Sequence, residues 1–123
     1  MSDWSHRELE ENRREYDRDH LDESGLPADP FLLFKAWLEE AVRSNSPDPT
    51  AMTLSTVDVD GSPSSRIVLL KKIDQNKLIF FTSYQSKKAR EIKNNSSVAA
   101  HFYWPLQERQ VKIAGTAEIL DDK

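Results

Sequence analysis

No cysteine occurs among the 123 residues, which removes disulfides, thiolate nucleophiles, Fe–S clusters and cysteine zinc sites together. Histidine is scarce as well. His6, His20 and His101 are too scattered in sequence to suggest a metal site. No run approaches the roughly 18 apolar residues of a transmembrane helix, and hydrophobic residues make up only 37% at a mean hydropathy of -0.69. The opening stretch MSDWSHRELEENRREYDRDH has no apolar segment of the kind a signal peptide needs. These absences lead to an expectation of a soluble, cytoplasmic protein with no membrane partner, whose chemistry is borrowed from a cofactor. At 14.2 kDa the expected organisation is one domain with one core.

Charge is unevenly spread. The net charge is -4, yet residues 62–95 hold eight Lys/Arg (Arg66, Lys71, Lys72, Lys77, Lys87, Lys88, Arg90, Lys93) against Asp74 and Glu91. That segment is +6, so the remainder is -10. A basic island in an acidic chain reads either as a local anion site or as a solvated face paired with the acidic remainder. The uniformly basic surface of a general nucleic-acid binder is absent.

Residues 1–28 read as a flexible, polar arm and connector, because Trp4, Leu9 and Tyr16 are too few large apolar groups to dock the arm firmly. Residues 29–123 form the domain. Asp29-Pro30 opens a helix over 31–44 as cap and first residue. Its apolar stripe is Phe34, Trp37, Leu38 and Ala41, with Glu39, Glu40 and Arg43 toward water. From Ala51 the pattern turns to alternation. Strands are expected at 51–57, 64–73, 78–84, 97–104 and 109–120, with an Asp60-Gly61 hairpin turn and a bulge at Gly115. A short helix over 86–94 has Ser86 as N-cap and stops at Asn94-Asn95. Five sequential strands with one short helix predict a mainly β, antiparallel meander or Greek-key barrel, with edges left to be covered.

Four stretches can carry chemistry. Alternation along the second strand places Arg66, Val68, Leu70 and Lys72 on one face and Ile67, Leu69 and Lys71 on the other. Cations at both ends of an apolar strand suit a flat ligand with anionic ends, or equally a buried strand with snorkelling tips. At Ser86-Lys87-Lys88-Ala89, free amides, the helix dipole and two ammonium groups meet in the manner of a phosphate site. The hydroxyls of Thr82 and Ser83 lie just before it. The alternative is a solvated helix end, although paired lysines oppose the dipole there. Gln110 offers a donor and an acceptor for a heterocycle's edge. Arg13-Arg14-Glu15-Tyr16 can close over a phosphorylated ring, or can be an exposed helix with i,i+4 pairs.

Taken in this order, Arg13-Arg14-Glu15-Tyr16, Leu26-Pro-Ala-Asp-Pro30, Asp48-Pro-Thr-Ala-Met52, Ser65-Arg-Ile-Val-Leu-Leu-Lys71, Ser86-Lys-Lys-Ala89 and Leu106-Gln-Glu-Arg-Gln-Val111 resemble the pyridoxamine 5'-phosphate oxidase family. The resemblance implies an FMN-binding split β-barrel that works as a homodimer with FMN between the subunits. It implies oxidation of pyridoxamine or pyridoxine 5'-phosphate to pyridoxal 5'-phosphate, with O2 as acceptor and hydrogen peroxide released. By similarity, Arg66, Ile67, Val68, Leu69, Leu70 and Lys71 line the FMN, with Arg66 on its phosphate. Phe81 and Thr82 also contact FMN, Lys87 and Lys88 grip the phosphate, and Gln110 bonds the flavin. Lys71 additionally meets the substrate phosphate, and Arg13, Arg14, Glu15 and Tyr16 form a lid over the substrate. No nucleophile and no metal ligand is implied.

Two departures from the family stand out. Lys87 takes the place of the usual arginine, which keeps the charge but loses the bidentate fork. The family also continues past Lys123 with further substrate and FMN residues, so the barrel is expected to be incomplete at its C-terminal end. Two other functional readings remain beside the oxidase: a non-catalytic flavin-binding module or inactive fragment, and an anion- or nucleic-acid-binding barrel.

Overall fold

The structure, a computed structural model, describes residues 29–83 and 85–120. Helix α1 (Pro30–Arg43) begins where the Asp29 carboxylate accepts the Phe31 amide at 2.9 Å, with Pro30 in the first turn. Strands β1 (Ala51–Val57), β2 (Pro63–Asp74) and β3 (Lys77–Phe80) follow as consecutive antiparallel hairpins. Helix α2 (Lys87–Asn94) then carries the chain back, so that β4 (Ser97–Trp104) pairs with β1, and β5 (Arg109–Thr116) adds antiparallel to β4. The sheet order β3-β2-β1-β4-β5 is a Greek key extended by one hairpin, which decides between the two expected topologies. The sheet curls, and Lys77 at the start of β3 reaches Glu118 beyond β5 at 3.7 Å.

The first two hairpin turns differ. Residues 58–62 make a five-residue loop, closed by Asp58 N to Ser62 O at 2.8 Å, in which Gly61 takes φ +90. In the tighter second turn Gln75 and Asn76 both have positive φ, as a two-residue I′ connection requires.

The core lies between α1 and the concave face of the sheet. Phe34 and Ala41 of α1 meet Met52, Leu54, Val68, Leu70, Ala100, Phe102 and Trp104. Phe34 packs its ring 5.2 Å from Phe102 and 6.1 Å from Trp104, and the last two rings are 5.6 Å apart. The Trp104 indole donates to Pro49 O at 2.8 Å, fixing the loop between α1 and β1.

Several expectations need correction. A bulge between Leu70 and Lys72 interrupts the alternation of β2. Ile73 therefore packs against the core while Lys71 and Lys72 both face water. Arg66 and Lys72 thus do not share a face, and burial of a lysine is avoided. No bulge occurs at Gly115, which pairs in register with Val98. Strand β3 ends at Phe80, not at 84, because the chain leaves the sheet to enter α2, with Ser83 O accepting the Ser86 amide at 3.1 Å. Strand β5 ends at Thr116, not at 120, because its partner β4 starts at the facing Ser97. Glu40 does not simply face water. Its carboxylate accepts from Arg109 Nη1 at 3.1 Å, and that guanidinium lies 4.6 Å from the Trp37 ring centroid.

Candidate functional site

The sequence-predicted residues fall into three groups. Ile67, Leu69, Lys71 and Gln110 lie on the outer, convex side of the sheet, where Ile67 is 63% exposed. Arg66, Val68 and Leu70 alternate to the inner side, and the side chains of Val68 and Leu70 belong to the core. They back the wall that Ile67 and Leu69 present. Phe81 and Thr82 follow β3 and lead into the start of α2, where Lys87 and Lys88 stand. Arg13, Arg14, Glu15 and Tyr16 lie outside the described residues.

Part of the outer face is apolar. A shallow groove of about 250 Å³ is lined by Ala51, Thr53, Ile67, His101, Tyr103 and Pro105, among others. Beside it, His101 Nε2 and Gln110 Oε1 are 2.7 Å apart. Since a carbonyl oxygen only accepts, the imidazole nitrogen is the donor, and the Gln110 amide nitrogen remains for another acceptor. Leu69 and Tyr103 are also exposed, and Phe81 is 75% exposed. Ile67 and Tyr103, exposed together at one groove, mark a surface suited to being covered.

The start of α2 has a different chemistry. Ser86 Oγ accepts the Ala89 amide at 3.2 Å, and Thr82 Oγ1 lies 3.5 Å from Ser86 Oγ. The first turn contains no acidic residue. Its amides have no intrahelical acceptor, and Lys87 and Lys88 add two cations where the dipole already favours an anion. Among the described residues neither lysine forms an ion pair.

One turn further along α2, Glu91 is 2% exposed and holds a polar cluster. Its Oε1 accepts from Thr56 Oγ1 and Ser64 Oγ at 2.9 Å each and from Arg66 Nη2 at 3.2 Å. Burial pushes the Glu91 carboxyl up, but the bonds from Ser64 and Thr56, then the charges of Lys87 and Arg66, outweigh it and hold the pKa below its ordinary 4.5. A depressed folded pKa contributes stability that is present above the unfolded value and lost as pH falls through the folded one. Urea midpoints should therefore fall on acidification below about pH 4.5 more steeply in the parent than in Glu91→Gln. Parallel slopes in the two proteins would remove Glu91 from the acid response.

Sequence reasoning passed over Thr56, Ser64 and Glu91. The available signal was the inward register of β1 and β2, which places polar Thr56, Ser64 and Arg66 on the same face as Leu54 and Val68. Polar side chains at inward positions require a common partner, here supplied by a helix that no strand pattern identifies.

Residues 38–123 match the family described as pyridoxamine 5'-phosphate oxidase. The chain belongs to that family. Over 112 residues it is 52% identical to the pyridoxine/pyridoxamine 5'-phosphate oxidase of Pseudoalteromonas translucida, covering 91% of this chain and 53% of the relative. It is 48% identical to the same-named protein of Pseudomonas paraeruginosa, covering 89% and 52%. The chain spans about half the length of the curated relatives it matches.

Among solved structures, PhzG from Burkholderia lata, in complex with tetrahydrophenazine-1-carboxylic acid, superposes with a TM-score of 0.78 at 32% identity, covering 85% of this chain and 52% of that one. A pyridoxamine 5'-phosphate oxidase-related, FMN binding protein from Nostoc punctiforme gives 0.64 at 25% identity, covering 74% and 47%. The fold is thus the split barrel of this oxidase family, represented among the described residues by five antiparallel strands and two α-helices. Among the described residues no helix is long and apolar enough to cross a membrane.

Proposed function

We propose that this chain is the FMN-holding part of a cytoplasmic, homodimeric pyridoxine/pyridoxamine 5'-phosphate oxidase. One observation carries the reading: the first turn of α2 sets Lys87 and Lys88 where the backbone amides have no acceptor within the helix, with no acidic residue in that turn. Two lysines in a first turn oppose the helix dipole, a cost that an anion seated there would offset. The names of the relatives supply the ligand class.

The donor set fits a phosphorylated flavin. Lys87, Lys88, the α2 amides and the Thr82 and Ser86 hydroxyls would hold the phosphate, with Arg66 behind them. Ile67, Leu69, Phe81 and the free amide nitrogen of Gln110 offer an apolar wall and a polar contact for the ring system. When bound, FMN supplies the two-electron oxidation of the substrate's C4′ carbon, with O2 as final acceptor and hydrogen peroxide as by-product. The protein's share is orientation and charge: Lys71, exposed on the outer side of β2, would take the substrate phosphate. Arg13, Arg14, Glu15 and Tyr16 would close over it. Fixing both phosphates sets the distance between the reacting atoms.

The test has two stages. FMN added to the purified protein should quench in fluorescence as it binds, and pyridoxine 5'-phosphate with O2 should then yield pyridoxal 5'-phosphate and peroxide. Binding without turnover would support the non-catalytic flavin module instead. Lys71→Ala should raise the KM for pyridoxine 5'-phosphate by about tenfold or more and leave FMN affinity less affected. An unchanged KM would take Lys71 out of substrate binding.

A further inference from the structure

Every hydrogen on the two terminal nitrogens of Arg66 is committed. Nη1 donates to Leu54 O at 3.0 Å and Thr56 Oγ1 at 2.8 Å, while Nη2 donates to Ser64 Oγ at 2.9 Å and Glu91 Oε1 at 3.2 Å. Each hydroxyl also gives its own hydrogen to Glu91, with Ser64 reaching Oε2 as well at 3.1 Å. Thr56 and Ser64 therefore turn lone pairs toward the guanidinium only because an acceptor-only carboxylate takes their protons. Glu91 sets the polarity of the whole cluster.

The cluster also sets position. It joins β1 through Leu54 and Thr56, β2 through Ser64 and Arg66, and α2 through Glu91. Lys87 lies one helical turn before Glu91 on the same side of the helix, close enough for its charge to act on the carboxylate. Pinning Glu91 thus pins the turn that bears Ser86, Lys87 and Lys88. Among the described residues, α2 also buries Ala89 and Ile92.

We propose that Glu91 is a positioning residue of the anion site, orienting Arg66 and locking the first turn of α2 at the spacing a phosphate requires. This rests on the reading of that site as the FMN phosphate cradle. Two opposite expectations make it testable. If Glu91 acted only through its charge, removing that charge beside an anion site would tighten anion binding. If it acts by position, removing the side chain weakens binding, and a neutral group that still offers an oxygen restores it. All three donor residues converge on Oε1, so a glutamine oxygen there can keep them.

The experiment compares parent, Glu91→Ala and Glu91→Gln for binding of FMN and of riboflavin, which has the same ring and no phosphate, by flavin fluorescence. Near-ultraviolet circular dichroism checks the fold. Glu91→Ala should raise the Kd for FMN by about tenfold. The Kd for riboflavin should stay within about threefold of the parent, as should that of Glu91→Gln for FMN. Where Glu91→Ala fails to fold, Ser64→Ala, which removes one of the two hydroxyls that bridge Arg66 and Glu91, should weaken FMN several-fold and spare riboflavin. Equal or tighter FMN binding in Glu91→Ala, or in Ser64→Ala where that variant stands in for it, overturns the proposal, as does equal loss of FMN and riboflavin. A parent that binds neither flavin overturns the cradle reading itself, and this inference with it.

Discussion

Replacing Lys87 and Lys88 together by glutamine is expected to raise the Kd for FMN by about a hundredfold or more. A hydrogen bond to a charged group is worth about 1.5–3 kcal/mol, so two together amount to roughly 3 kcal/mol or more. Riboflavin separates this effect from damage to the fold, since it lacks the group the lysines hold. Folding stability should move little, for two opposing reasons. Two cations in the first turn of a helix oppose its dipole, by about 0.3–1 kcal/mol each. Against that relief, Lys87 loses its attraction to Asp60, whose carboxyl is held low chiefly by the Ser62 amide, and to Glu91. If FMN binding survives the double substitution unchanged, the phosphate is held elsewhere and α2 is only a strut.

Phe102→Ala is expected to be the most damaging single change in the core. Phe102 is 0% exposed, and it lies between Phe34 of α1 and Trp104 of its own strand. Truncation removes the aromatic contacts and leaves a cavity, at a cost of about 3–5 kcal/mol. Total stability of a domain this size is about 5–15 kcal/mol. Thermal unfolding should drop by roughly 10–20 °C, with Phe102→Leu losing far less because it refills most of the volume. A drop of only a few degrees would mean that α1 does not depend on this ring for its seat. The residues assigned to FMN are not built on Phe102 directly, so the surviving folded fraction should bind with nearly parental affinity.

The elements that were legible from sequence are those whose signals are local. Asp29-Pro30 announces α1, and the structure has that cap bond at 2.9 Å. Ser86 announces α2, and it accepts the Ala89 amide. Alternation marks β1 and β4 to the residue, because half-buried strands display their period directly. Where a signal depended on a partner strand, it failed. β3 ends where the chain turns off the sheet toward α2, and β5 ends where β4 stops offering hydrogen-bond partners. The bulge after Leu70 follows from the need to bury Ile73 in place of Lys72, a choice that alternation alone cannot express.

For the site, the sequence by itself determined the chemical kinds of groups available: cations at 66, 71, 87 and 88, an amide at 110, and no thiol or clustered histidine. It also determined the family, because ordered motifs spread over the chain are a linear property. Only the tertiary structure decided which of those groups face one another. It turned Arg66 inward onto Glu91, put Gln110 against His101, and left Ile67 and Leu69 uncovered on the opposite side of the sheet. The reason is distance along the chain: Arg66 and Glu91 are 25 residues apart, and only a Greek-key return through α2 brings such groups within hydrogen-bonding reach.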